Sequence, residues 1–339
     1  MTERARIAVI GAGIAGLACA TELSALGVAV TLFDKGRGVG GRVATRREGS
    51  MHFNHGAQYV TARGASFRAL LDFLVADGAA APWPAAGAGR WTGVPGMSAI
   101  ARHMAAECGA EVRLGQQVLF LRDDEVGWLV RVVPAKSAFP GEVLDEGGEV
   151  ERFDAVLLAI PAAQAAPLLQ AANHPFGEVV SAVEMAPCWT MMAAFAGRVD
   201  APDVQRYEEG PLSWVARESS RPGATEEPDR WVVQASPGWS RRMLERDAAE
   251  VGTMLLGAFV AATGAQEAPL HTATHRWRHA RTEQPLGEAA LWDGERRIGV
   301  CGDWCLGARV EAAWTSGRAL AALVADRPVE LELEDAAPG

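Results

Sequence analysis

The sequence predicts an α/β fold in two parts: a doubly wound domain assembled from both ends of the chain, interrupted by an α+β unit built on an antiparallel sheet. Three observations carry this. Residues 6–34 read as strand, glycine turn, helix and strand, the βαβ unit of a parallel sheet. Residues 297–325 return to an apolar strand, a glycine turn and a closing helix. Between them, from 164 to 282, short runs rich in Trp, Val and Met replace the βαβ rhythm. A length of 339 residues suits two domains, each with its own core. The expected division gives residues 1–63, 94–163 and 283–339 to the discontinuous domain, and 64–93 and 164–282 to the inserted, substrate-bearing one.

Each element has a local reason. Ile7-Ala8-Val9-Ile10 is a short apolar run closed by Gly11, as a strand buried on both faces requires. Ile14 to Leu26 has helical spacing, and Gly27 stands where a left-handed residue ends a helix. Val28–Phe33 is β-branched and ends on Asp34. Residues 36–64, rich in Gly and Arg and without periodicity, predict a long functional loop. Helices are expected over Ser66–Ala76 and Met97–Cys108, with a Gly/Pro/Trp crossing at 79–96 between them. Strands follow at Val112–Leu114, Val118–Leu121, Trp128–Val133 and Ala155–Ile160, with polar Pro134–Gly148 as a hairpin loop. The inserted unit begins with helix Ala162–Ala172 and strands near Trp189–Ala196, Leu212–Arg217 and Trp231–Ala235. One long helix, Arg241–Ala262, precedes strand Thr272–His279. Strand Arg297–Cys301 and helix Val310–Ala325 close the chain, ahead of a solvated acidic tail, Glu330–Asp335.

Composition excludes several classes of function. The net charge of −10 argues against nucleic acid as a partner, because phosphate binding along a strand needs clustered positive charge. No apolar stretch is long enough to span a bilayer. The five cysteines are scattered, without CxxC spacing, which suits reduced thiols. The N-terminus runs directly into a strand, without a secretory pattern. The expectation is a cytoplasmic protein, monomer or homodimer, with a small-molecule substrate. Of 32 cationic residues only Lys35 and Lys136 are lysines, so a mechanism that needs a lysine has two places to find one.

The chemistry is written at both ends of the chain. Gly11-Ala12-Gly13-Ile14-Ala15-Gly16 follows a strand and opens a helix. The first glycine permits the tight turn, the second lets a pyrophosphate approach the backbone, and the third lets helix and strand pack closely. Free N–H groups at the helix start then face the diphosphate. Asp34 ends the second strand, where a carboxylate accepts ribose hydroxyls, so FAD or NAD is expected and not NADP. Lys35 to Arg42 adds a Gly40-Gly41-Arg42 doublet, small residues that close over a cofactor beside an arginine for its charge. Near the other end, Gly302 and Asp303 occupy a turn, and Arg309 and Val310 begin the last helix. A helix start stabilises negative charge placed before it.

Taken together these motifs resemble the renalases of the flavin amine oxidase superfamily, over nearly the whole chain. The resemblance rests on 34–42, on Gly56-Ala57-Gln58-Tyr59 and the residues to Arg63, and on Gly93 to Ala99. It continues through Pro187-Cys188-Trp189, His275-Arg276-Trp277 and Cys301 to Cys305. It departs at Asn54, where an Asp is expected before the Gly56 stretch. It implies a glutathione-reductase-type, Rossmann-like FAD-binding domain and a non-covalent FAD. Besides the residues above it implies Gly56, Ala57, Gln58, Tyr59 and Val118 among the cofactor contacts. It further implies oxidation of 2- or 6-dihydro isomers of NAD(P)H to NAD(P)+, with O2 reduced to H2O2.

The residues themselves bear on that activity. Many flavin amine oxidases of similar fold keep a lysine near flavin N5. Here Lys35 follows the ribose carboxylate and Lys136 falls in the expected surface loop, and neither position suits N5. A dihydropyridine needs no such base, because losing hydride restores aromaticity and the protein need only hold it in place. No acid–base catalytic residue is therefore assigned. The expected substrate wall is Trp91, Gly96, Met97, Trp189, Thr190, Met191 and Trp304. The competing readings are an amine oxidase or desaturase acting on a small metabolite, and an FAD-binding protein without turnover. No metal is expected: His271, His275 and His279 sit in a strand-like alternation that spaces residues four apart by about 13 Å.

Overall fold

The computed structural model describes residues 4–135 and 148–329. Lys136, most of the expected loop Pro134–Gly148 and the tail Glu330–Asp335 lie outside the described residues. A six-stranded sheet runs in the order Leu291–Asp293, Ile298–Val300, Ala155–Leu158, Arg6–Ile10, Ala29–Asp34, Glu111–Leu114. All neighbours in it are parallel except the edge strand Leu291–Asp293. Its strands are apolar on both faces because both faces are covered. Ile7, Val9, Val30 and Leu32 pack under the helices Ile14–Ala25 and Val310–Val324. Ala8, Ile10, Phe33 and Leu158 pack on the other side, toward helix Ala162–Ala171 and the antiparallel sheet Gln116–Asp123, Trp128–Pro134, Glu149–Phe153. The first and last helices touch at Gly317, where an added Cβ would collide with the carbonyl oxygen of Ala15.

A five-stranded antiparallel sheet runs Val204–Arg206, Leu212–Arg217, Asp229–Ala235, Glu184–Phe195, His271–Gln284. Alternation divides its side chains between two faces. Trp189, Met191, Phe195, Trp231 and Val233 form a core with Val251, Leu255 and Phe259 of helix Ala248–Thr263. Met192, Ala194 and Val232 face the other way, against Phe53.

Several expectations change. The helix expected over Arg241–Ala262 is two, Pro237–Arg242 and Ala248–Thr263. Asp247 caps the second by accepting from the backbone N–H groups of Ala249 at 2.8 Å and Glu250 at 3.3 Å, a local bond that wins over continuous helical spacing. The functional loop 36–64 contains a hairpin, Arg46–Glu48 with Met51–Phe53, and the crossing 79–96 another, Ala80–Pro82 with Trp91–Gly93. The strand expected near Trp189 begins at Glu184, and its register shifts between Ala186 and Cys188, which is how it accommodates Pro187. Strands Glu149–Phe153, Val204–Arg206 and Leu291–Asp293 and helices Phe176–Ser181 and Asp303–Leu306 were not expected, being too short for periodicity to register. Among the described residues no helix is long and apolar enough to cross a membrane.

The contact at Gly317 makes a prediction. Gly317→Ala forces the first and last helices apart, and a loss of about 3 kcal/mol or more is expected from chemical denaturation. An unchanged midpoint would show that the helices have slack there.

Candidate cofactor site and adjoining pocket

The glycine loop is shaped for a diphosphate. Gly11 has φ +108, and a Cβ there would lie 2.6 Å from the Ala159 carbonyl oxygen. A Cβ on Gly16 would strike the carbonyl of Gly11. Gly13 has nothing within 4 Å of its Cβ position, and the nearest atom to that of Gly41 is the Gly13 Cα at 3.9 Å. These two glycines therefore leave open a gap that side chains would fill. Gly13 caps helix Ile14–Ala25 without a side-chain hydrogen bond, which leaves the first-turn N–H groups free for an anion. Ala12, Ile14 and Ala15 are buried and hold that turn in place. The residues present fit a phosphate-bearing dinucleotide.

Asp34 does more than its position suggested. Its Oδ2 accepts from the Ala12 N–H at 2.8 Å and its Oδ1 from the Gly36 N–H at 2.6 Å. The carboxylate thus clamps the glycine loop to the loop after the second strand, and its remaining lone pairs are what a ribose would meet. The Lys35 ammonium points elsewhere, donating to the Gln164 side chain at 3.2 Å on an exposed edge.

Arg42 and Asp303, separated by most of the chain, form a two-pronged ion pair with contacts of 2.9 and 2.5 Å. Thr282 donates its hydroxyl to the same carboxylate at 3.2 Å. The carbonyl of Arg42 accepts the Ala57 N–H at 2.8 Å, and Gly56 is pressed so close to that carbonyl that a Cβ would clash. Gly302 lies against the Trp304 indole in the same way and donates its N–H to Ser316 at 2.9 Å. Arg309 precedes helix Val310–Val324, which has no side-chain cap, and the Arg309 Nη1 is buried without a partner. A buried guanidinium nitrogen beside open helix N–H groups suits a polar or anionic cofactor edge. Val118 is apart from these, packed in the core on the far side of the parallel sheet.

The segment His55–Tyr59 lies along a single row of the antiparallel sheet. Paired residues across its five strands are Arg206, Trp214, Gln234, Thr190 and His275, all on one face. His55 stacks on Trp277 at 5.1 Å and meets His275 edge-on at 4.9 Å. Gly56 accepts from the Gln234 side chain at 2.7 Å, and Gln58 from the Trp214 indole at 3.2 Å. Tyr59 tilts against Trp214 at 5.5 Å. Beneath this segment Arg221 donates to the Gln58 backbone and side-chain oxygens at 2.7 and 2.8 Å, and pairs with buried Glu218 at 3.2 Å.

Asn54 completes the network. Its Oδ1 accepts from the Thr45 hydroxyl and the Met97 N–H, both at 2.7 Å, and its Nδ2 donates to Glu218 at 2.7 Å. The departure from the expected Asp has a physical reason: a carboxylate there would face the carboxylate of Glu218.

The expected substrate wall is corrected. Trp189 and Met191 lie on the helix-covered face and are core; the Trp189 indole donates to the Met243 carbonyl at 3.0 Å. Trp304 is likewise core, donating to the Ile160 carbonyl at 3.0 Å. Thr190 faces the other way, in register with His275. Gly96 and Met97 lie against Asn54: a Cβ on Gly96 would come 3.1 Å from the Asn54 Oδ1, and Met97 is fully buried with its N–H on that oxygen, while Trp91 pairs with Val60. His55 is not among the expected site residues, and His275 enters the sequence reading through the resemblance and as a rejected metal ligand, not as part of the site. The alternation of His275 and Trp277 on one strand face was the available signal. Among the described residues no group of three or more His, Cys, Asp or Glu side chains is placed to hold a metal.

Burial pushes His55 down to about 4, with His275 adding to the effect. Burial also lowers His275, with Arg46 next in importance. The ring cluster is therefore uncharged at neutral pH.

Residues 85–325 match the family of flavin containing amine oxidoreductases, and residues 9–74 match the NAD(P)-binding Rossmann-like domain. The first match spans well over half of the chain, and the protein belongs to the flavin containing amine oxidoreductase family. It is thus a flavin-dependent oxidoreductase by family. A crystal structure from Exiguobacterium sp. 255-15, assigned as a protoporphyrinogen oxidase, is similar with a TM-score of 0.71 at 14 % identity, covering 96 % of this chain and 100 % of that one. Wild-type putrescine oxidase bound to putrescine is similar with a TM-score of 0.63 at 14 % identity, again over 96 % of this chain and 100 % of that one. Its cofactor-binding triple mutant reaches 0.66 at 14 % identity, over 96 % and 99 %. At such identities the likeness is one of fold.

Two predictions come from this site. Asn54→Asp sets two buried carboxylates together and should cost about 3 kcal/mol of stability at neutral pH, shrinking in acid as one is protonated. Denaturation at pH 8 and pH 5 reads this, and an equal loss at both would refute the charge argument. His55 is protonated near 6.5 when unfolded but only near 4 when folded, so the unfolded chain binds more protons between those values. Stability must fall as pH drops through that window, and His55→Phe should flatten the slope. Identical slopes for both proteins would contradict it.

Proposed function

We propose that the protein is an FAD-dependent oxidase that takes a hydride from 2- or 6-dihydro isomers of NAD(P)H, releasing NAD(P)+ and, through O2, H2O2, as the renalases do. When bound, non-covalent FAD supplies the two-electron acceptor at its N5 atom and passes the electrons to O2. Gly11, Gly13, Gly16 and the first helix would hold its diphosphate, Asp34 its ribose, and Arg42, Asp303, Arg309 and the start of the last helix its flavin half. In this reading residues 1–63, 94–163 and 283–339 form the FAD-binding domain and residues 64–93 and 164–282 the substrate domain.

One observation carries the substrate reading: the rings that meet the Gly56 loop are neutral, and His55, at about 4, is a poor base at neutral pH. An amine must lose its ammonium proton before it gives up hydride, which asks for a base near neutrality. A dihydropyridine gives up hydride with no proton removed, and a flat neutral ring suits a surface edged by the uncharged rings of His55, His275 and Trp277. Lys35 is engaged by Gln164, so it supports no lysine relay. These residues would orient the substrate ring and exclude water; none needs to move a proton.

Anaerobic titration of the purified flavoprotein tests this. The 2- or 6-dihydro isomers should bleach the flavin within seconds, with ordinary NADH and putrescine far slower. Bleaching by an amine while the isomers leave the flavin oxidised would favour the amine oxidase reading.

A further inference from the structure

His279 lies half-buried on the strand His271–Gln284, and the proposed reaction makes no use of it. Its neighbours on that strand divide between two sides. Arg276 and Arg278 reach Glu245, ahead of helix Ala248–Thr263, whereas His275 and Trp277 meet His55. Past Trp277 the pairing with Glu184–Phe195 shifts: Cys188 faces Trp277 and Ala186 faces Arg281, so the strand bulges between them. His279 sits in that bulge, and the carbonyl of the next residue, Ala280, accepts from the Arg42 guanidinium at 3.4 Å. The strand is thus pinned to the loop Lys35–Arg42 at the point where His279 stands. Burial lowers the proton affinity of the ring, and Lys35, Arg42 and Arg278 lower it further. Both ends of the loop therefore act on His279. The carboxylates of the surrounding elements are engaged: Asp303 by Arg42, Glu245 by Arg276 and Arg278, and Asp34 by the N–H groups of Ala12 and Gly36.

The same loop is one wall of the gap left for a diphosphate. Gly40 donates its N–H to the Ala12 carbonyl at 2.8 Å, and Gly41 faces Gly13 across the opening. A ring that meets only cations stays uncharged near neutrality, and two phosphate charges beside that loop reverse the field it feels. Arg42 already spends its charge on Asp303, so the wall gains from a further cation when a dianion arrives. We propose that His279 belongs to the cofactor's diphosphate site and takes up a proton from solvent as the dinucleotide binds, so that the protein holds FAD more tightly as pH falls toward 6. This rests on the assignment of FAD to the glycine loop, and it adds a proton-linked residue from the antiparallel sheet. The sign follows from linkage: the loaded protein keeps the proton at a pH where the empty one has lost it, so affinity falls as pH rises through that window.

The test is titration of the full chain, freed of its flavin, with FAD from pH 6 to 8.5, read by flavin fluorescence. Calorimetry at pH 7 in two buffers of different ionisation enthalpy counts the protons. The Kd should rise about tenfold between pH 6 and pH 8, since a tenfold gain in the ring's proton affinity on binding is an equal gain in FAD affinity. Up to one proton should be taken up per FAD. His279→Gln should flatten the rise and abolish the uptake, while His279→Lys, charged throughout, should hold FAD at pH 8 as tightly as the native chain does at pH 6. His275→Gln, which alters the His55 corner instead, should keep the native pH dependence. A flat profile in the native chain, no proton uptake, or an unchanged profile in His279→Gln would overturn the proposal. If FAD binds tightly but without pH dependence, the cofactor assignment stands and the role of His279 falls. If FAD binds at no pH, the cofactor assignment falls and the role of His279 with it.

Discussion

The ion pair between Arg42 and Asp303 is the constraint on which the site's construction depends. It joins a turn just past the first βαβ unit to the start of the short helix Asp303–Leu306, just before the last helix, at 2.9 and 2.5 Å. Both side chains are largely withdrawn from water, so the pair gains little net stability over apolar packing. Its consequence is alignment. With Arg42 held, its carbonyl fixes Ala57, and with Ala57 fixed the segment His55–Tyr59 is laid along the antiparallel sheet. Removing either charge would leave the other buried and unpaired, and the two ends of the chain would lose their common register.

Around that alignment the protein separates two kinds of surface. The His55, His275 and Trp277 rings form an uncharged corner, kept so by burial. The opposite end of the same row ends in arginines braced on Tyr59 and Trp214. Between them the buried residues Asn54, Gln58, Glu218 and Arg221 bond to one another and to Thr45, Met97, Trp214 and Thr92 around them. A network of that kind is intolerant of small changes, because each partner's removal strands another polar group in low dielectric. It explains why Asn54 is an amide: it must accept from two donors and give to one carboxylate.

The parts of the fold that could be read from residues are those with a local cause. The βαβ unit is legible because a both-face-buried strand, a glycine turn and a helix are each dictated within a few residues. The positions of Gly11, Gly13, Gly16 and Asp34 follow from that unit. The misreadings have one source as well. Trp189, Met191 and Trp304 look like a pocket wall in sequence because large apolar residues serve pockets and cores alike, and only the placement of helix Ala248–Thr263 assigns the first two to core. The break at Asp247 was hidden by apolar spacing that continues across it, whereas the cap is a single hydrogen-bonded side chain.

By itself the sequence determined a nucleotide-binding α/β domain built from both chain ends, because local steric and hydrogen-bonding rules need only neighbouring residues to act. Only the tertiary structure decided that Arg42 spends its charge on Asp303 and that Asp34 clamps the glycine loop. It also decided that His55 joins His275 and Trp277, and that Arg90 and Arg206 flank one tyrosine. These pairings join residues far apart in the chain, and they depend on strand register and sheet order, which no local rule specifies.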